Sequence, residues 1–205
     1  MQLPIDIDSV KGFLAANEGD ALYQRCLTAC EIGPALEIGS YCGKSTVYLG
    51  QACKDAGSTL FALDHHRGSE EHQLGEEYHD PDLFDAGVGK VDTFKLFRNT
   101  VSRADLEDHV VPLVAPSVVV ARNWQTPFGL VFIDGGHSLE AAQTDYQSWS
   151  PHVAKGGILA IHDLFPNPDE GGQAPITIWR AAIASGLFED LGVVGTLGVL
   201  RRRQK

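Results

Sequence analysis

One stretch constrains this chain more than any other: Ala35 to Ser45, ALEIGSYCGKS, where a short apolar run passes through two glycines into an amphipathic segment. Leu36 and Ile38 bracket an acidic Glu37, and Gly39 and Gly43 stand where a backbone can bend sharply or let a ligand come close. The pattern predicts strand, turn and helix, with the unpaired amides of the helix start aimed back at the turn. Spacing then separates the chemistries that use such turns. Gly43-Lys44-Ser45 reads as the end of a phosphate-binding loop, but that loop needs four residues before its Gly-Lys pair, and Gly39 and Gly43 enclose only three. The dinucleotide fingerprint fails as well, because Tyr41 stands where its second glycine should be. What remains is E-x-G-x-x-x-G, which suits a ligand with positive charge and no phosphate.

Three further strand-like runs end in polar residues: FALDHH at 61–66, VFIDGGHS at 131–138 and GGILAIHD at 156–163. Asp64 falls about twenty residues after the glycine turn, where the end of a second strand places a carboxylate beside a ribose. Leu130 to Ile133 is apolar throughout, as a central parallel strand should be, and delivers Asp134 and His137 to the carboxyl edge. Ile158 to Ile161 delivers His162 and Asp163 to the same edge. A buried carboxylate or imidazole without a partner costs stability, so this convergence points to a ligand, a substrate proton or a cation.

On these four motifs the sequence resembles the class I S-adenosylmethionine-dependent methyltransferases, in the small-metabolite branch whose fourth strand ends in an Asp-Gly-Gly-His turn. The resemblance runs from about Gly33 to the C-terminus. It implies a Rossmann-like three-layer α/β sandwich, with a seven-stranded, mostly parallel sheet closing on an antiparallel hairpin. Leu187 to Val194 and Leu197 to Arg202, joined by Gly195-Thr196, fit that hairpin. S-adenosyl-L-methionine would then be gripped by Glu37 and Asp64, with the turn Gly39, Ser40, Gly43 and Ser45 beneath its methionine part. His65 and Ser117 would lie near the adenine and Asp134 near the reactive end, although Ser117 also suits a helix N-cap. His137, His162 and Asp163 become the catalytic candidates, a histidine taking the proton of a hydroxylated small molecule. A divalent cation on Asp134, His162 and Asp163 is compatible with the resemblance, although imidazole is a weaker magnesium ligand than an oxygen donor. A nucleotide-dependent (ATP or NAD) enzyme and a non-catalytic cofactor-binding protein of the same fold stay open as alternatives.

The rest of the chain narrows the partners. A length of 205 residues with 43% hydrophobic content predicts a single domain, 1–205, with an N-terminal helical cover over 1–30 and a polar insertion over 65–90. A net charge of -11 argues against nucleic acid and anionic membranes. No run reaches the roughly 20 apolar residues of a membrane span, and the opening residues lack a signal-peptide layout, so the expected location is cytoplasmic. The N-terminal helices or the insertion would serve a homodimer. His65 to Asp80 holds half of the eight histidines among acidic residues, and reads as a polar loop beside the substrate without the spacing of a zinc motif. Of the cysteines at 26, 30, 42 and 53, Cys26 and Cys30 share a helical face, and two thiols without histidines make a poor zinc site. They read as buried reduced thiols, and Cys42 as a small residue within the turn.

Overall fold

A computed structural model describes residues 2–69, 80–136 and 138–204. The strands are β1 (Ala35–Ile38), β2 (Leu60–Asp64), β3 (Val110–Val114), β4 (Phe128–Ile133), β5 (Val153–Ile161), β6 (Phe188–Val194) and β7 (Leu197–Arg202), and they form one seven-stranded sheet. The helices are α1 (Ala16–Ala29), α2 (Lys44–Asp55), α3 (Phe94–Arg103), α4 (Ser117–Ala121), α5 (Leu139–Trp149) and α6 (Ala174–Ala184). A two-stranded ribbon, Phe84–Asp85 against Lys90–Val91, stands apart from the sheet. The sequence pattern extends the third helix back to Gly89, but Lys90 and Val91 are taken up by this ribbon, and the helix starts only at Phe94.

Strand order is β3-β2-β1-β4-β5-β7-β6. Strands β1 to β5 pair in parallel, whereas β7 runs antiparallel between β5 and β6. Every residue of β1 and β4 is buried, because helices cover both faces of the sheet, which is why these strands read as apolar runs rather than alternating ones. On one face Leu22 and Cys26 of α1, Val47 and Leu49 of α2 and Phe97 of α3 pack on Leu60, Leu130 and Phe132. On the other, Trp149 of α5 and Trp179 of α6 pack with Leu36, Val131 and Leu159. Trp149 is thus core. The N-terminal cover is a short 3-10 turn at Ile7–Ser9 followed by α1. Among the described residues no helix is long and apolar enough to cross a membrane.

The chain leaves β1 toward β2 and β3, then returns to lay β4 on the opposite side of β1. The carboxyl ends of β1 and β4 therefore mark the switch in strand order, where open α/β sheets bind ligands. Register makes this edge a single row. Leu63, Ile38, Ile133 and Ile161 are aligned across four strands, so the next residues, Asp64, Gly39, Asp134 and His162, emerge side by side.

Candidate active site

At the glycine turn, Gly39 and Gly43 have φ of 90° and 93°, the left-handed region that glycine enters freely. Gly39 is also bound by space, since a Cβ there would sit 2.0 Å from the carbonyl oxygen of Asp134. Gly43 is the N-cap of α2 and packs on Thr100 and Phe97 rather than facing the cavity. The turn's floor is Glu37, fully buried, whose two carboxylate oxygens accept from Ser45 Oγ and Thr46 Oγ1, both at 2.6 Å. Burial pushes its carboxyl up to about 8, against the two hydroxyls that favour the anion, with Asp134 and Asp64 adding repulsion. Two expectations are corrected here. Glu37 and Gly43 do not line the cavity but shape the turn, Glu37 because the first turn of α2 satisfies its side chain and Gly43 because α3 covers it.

A cavity of about 1380 Å³ opens over this row of strand ends, lined among others by Gly39, Ser40, Ser45, Asp64, His65, Ser117, Asp134, His162 and Asp163. Asp64 Oδ2 accepts from the Tyr41 amide (2.8 Å) and Oδ1 from the His66 amide (2.7 Å). The carboxylate is thereby oriented with acceptor capacity to spare, since it has about four lone-pair sites. Ser40 Oγ is buried and has no hydrogen-bond partner among the described residues, an orphan that a ligand at the turn would satisfy. His65 is half exposed at the rim, its Nδ1 accepting from the Arg67 amide. Ser117 is not an N-cap: Pro116 holds that position, and the Ser117 hydroxyl accepts from Trp149 Nε1 at 2.7 Å. Asp145 lines the same cavity, a buried carboxylate whose pKa burial raises.

The second pole is centred on His162, 4% exposed. Its Nδ1 lies 3.1 Å from Asp134 Oδ1 and 3.4 Å from Asp163 Oδ1, and its Nε2 lies 3.1 Å from Glu18 Oε2. Both ring nitrogens face carboxylates, so both carry protons. Burial disfavours the charged ring, but Asp134, Asp163 and Glu18 outweigh it and lift the imidazole to about 10. Glu18 is fixed in turn: Oε1 accepts from the Thr196 amide (2.6 Å) and hydroxyl (2.9 Å), and Oε2 from the Ala15 amide (3.0 Å). Burial raises its pKa, yet these bonds and the imidazolium bring it below the ordinary value.

The sequence reading of His162 as a base is therefore corrected, because a ring protonated on both nitrogens at neutral pH has no lone pair to accept with. The divalent-cation reading meets the same obstacle. Asp134, His162 and Asp163 do bring ligand atoms within 4.8 Å of one another, but the imidazolium already supplies the positive charge, and a metal would have to displace its proton. As they stand, these residues do not fit a cation. His137 lies outside the described residues, as do positions 70–79 of the histidine-rich segment.

Sequence reasoning missed Glu18, Thr46 and Asp145. Glu18 carries a helix-start signal, a glutamate at the third position of α1 reaching back to the N-cap amide, but nothing in the sequence links it to a histidine 144 residues later. Thr46 stands beside the recognised Ser45. Asp145 is an acidic residue on the buried stripe of α5, which an apolar periodicity count passes over.

Comparison with solved structures places the fold among known methyltransferases. Cofactor-bound Rv0187 from MTB superposes with a TM-score of 0.64 at 18% identity, over 96% of this chain and 85% of that one. An O-methyltransferase from Bacillus cereus in complex with SAH gives 0.62 at 17%, over 94% and 83%. The O-methyltransferase TomG from Streptomyces achromogenes, involved in tomaymycin synthesis and in complex with SAM, gives 0.61 at 14%, over 93% and 82%. At such identities the likeness establishes the fold. A family model described as a methyltransferase domain matches residues 36–164, which runs from the glycine turn through the His162-Asp163 strand end and is more than half of the chain, and the protein accordingly belongs to the methyltransferase-domain family.

Proposed function

We propose that this protein transfers a methyl group from S-adenosyl-L-methionine to a hydroxyl oxygen of a small metabolite. The observation that carries the reading is the glycine turn itself, where the orphaned Ser40 hydroxyl and the amide-oriented Asp64 carboxylate face one cavity. Relatives of the same fold hold SAM or SAH, which supports the same occupant here. Bound there, S-adenosylmethionine supplies a sulfonium methyl that is already electrophilic.

The protein's part is to hold and orient. Asp64 accepts from the ribose hydroxyls, Ser40 meets a polar group of the cofactor, and Glu37 keeps the turn in shape from beneath. Holding the acceptor oxygen in line with the methyl carbon is worth ~7–11 kcal/mol in favourable cases, and a placed base adds about 10²–10⁴-fold. That base is His137 or one of the carboxylates Asp134 and Asp163, with His162 as the positioning cation between them and Glu18. The rim supports an acceptor with an apolar body, since Phe13, Tyr41 and Phe165 line the same cavity as these carboxylates.

Calorimetric titration with S-adenosylmethionine tests the reading. Micromolar binding in the wild type, lost in Asp64→Ala and unchanged by chelating divalent metal, is the expected result. No binding, or binding of ATP or NAD instead, would overturn it.

A further inference from the structure

On the face of the sheet away from α5 and α6, the C-terminal ends of α1 and α2 bring three thiols together. Cys26 Sγ lies 3.9 Å from Cys30 Sγ and 3.8 Å from Cys53 Sγ, and Cys30 and Cys53 are 3.7 Å apart. Cys26 and Cys30 meet because residues four apart share a helical face; Cys53 arrives from α2, 23 residues further along the chain. All three cysteines are free thiols, Cys26 and Cys53 buried and Cys30 partly open.

The size of the triangle is informative. The point equidistant from three atoms about 3.8 Å apart lies 3.8/√3, or about 2.2 Å, from each. That is close to a metal–thiolate bond, about 2.3 Å for zinc. Among the described residues no histidine or carboxylate joins the three sulfurs, which leaves a three-coordinate site or one completed by water on the open Cys30 side.

We propose that Cys26, Cys30 and Cys53 form a binding site for one thiophilic d10 cation, copper(I) or zinc(II), that ties the far ends of α1 and α2 together. Thiolate ligands select such ions over hard cations, and binding releases the thiol protons to solvent. The site is separate from the strand-end cavity, so it stands whether or not the methyl-transfer reading does. Its structural consequence reaches that cavity all the same, because the opposite end of α1 carries Glu18 and the opposite end of α2 carries the glycine turn.

The test is anaerobic titration of the reduced, metal-free full chain with zinc(II) alone, and with copper(I) delivered from a competing chelator. Stoichiometry is read by native mass spectrometry, and thiol protection by alkylation mapping. The expected result is one equivalent of one of these ions. Cys26, Cys30 and Cys53 should be protected together and the thermal midpoint raised. Cys30→Ser should weaken uptake by more than the roughly 10–100-fold that losing an outer-shell partner costs, and Cys42→Ser should leave it unchanged. Protection mapping uses the wild type, so a poorly folding variant does not blunt the test. Absence of uptake of either ion, uptake that survives both Cys30→Ser and Cys53→Ser, or uptake abolished by Asp163→Asn would each overturn the proposal.

Discussion

Among the described residues two glutamates are buried, one beneath the glycine turn and one at the start of α1, and their pKa values shift in opposite directions. Glu37 is surrounded by neutral hydroxyls and its carboxyl is pushed up to about 8, whereas Glu18 faces an imidazolium and falls below the ordinary value. Burial alone does not decide charge; the partner does. The turn holds its shape around a carboxyl whose charged form burial disfavours and two hydroxyls favour, and the neighbouring pole holds its carboxylates around a fixed cation.

The largest break in this comparison comes from removing the cation. His162→Ala leaves Glu18 and Asp134 facing each other's charge without a proton between them, and loss of one partner from a buried ion pair costs about 3–5 kcal/mol. Denaturant unfolding should show that drop. Adding Glu18→Gln to His162→Ala should then cost less than Glu18→Gln does alone, because the unpaired charge is already there. Additive losses would mean that the pair is not coupled and that the ring is an ordinary neutral core histidine.

Much of this architecture is legible in the sequence. The glycine turn, the apolar β1 and β4 runs, the terminal hairpin and the polar strand ends all follow from local pattern, because parallel strands buried on both faces admit few alternatives. What was not legible is the pairing of charges across the fold. Nothing near His162 in the chain discloses that α1 folds back to set Glu18 against its Nε2, and nothing near Glu37 says that both of its oxygens are taken by α2. The cysteines show the same limit: Cys26 and Cys30 announce a shared face, but only the packing of α1 on α2 brings in Cys53.

Proton linkage sharpens the contrast next, because the two poles lose stability in different pH windows. Glu37 titrates near its ordinary value of 4.5 when unfolded and about 8 when folded, so its contribution is full below 4.5 and is lost as pH rises through 8. For His162 the corresponding values are 6.5 and about 10, so its contribution is full below 6.5 and lost as pH rises through 10. Glu18, with its folded value lowered, contributes above 4.5 and loses that contribution as pH falls through the folded value. From pH 4.5 to 6.5 Glu37 adds to the decline with rising pH while His162 does not, and from 8 to 10 His162 adds to it while Glu37 does not, each by up to about 1.4 kcal/mol per unit. Glu37→Gln should make the slope between 4.5 and 6.5 less negative and spare that between 8 and 10, and His162→Ala should do the reverse. Unfolding free energies measured in steps of about 0.5 unit, roughly a quarter of the width of either window, would resolve them.

The smallest effect is expected at the surface. Lys11 pairs with Asp80 and, at 3.1 Å, with Asp82, all three at least one-quarter exposed, and it belongs to the same N-terminal segment that places Phe13 at the cavity rim. In water the Coulomb gain of such a pair is screened and offset by ordering two long side chains, leaving ~0–1 kcal/mol. Lys11→Ala should therefore cost no more than about 1 kcal/mol, and less still in molar salt where the Debye length is about 3 Å. A loss approaching that of His162→Ala would mean that the segment carrying Phe13 is held by this pair. The ion pair would then belong with the buried charges, and the rim of the cavity would depend on it.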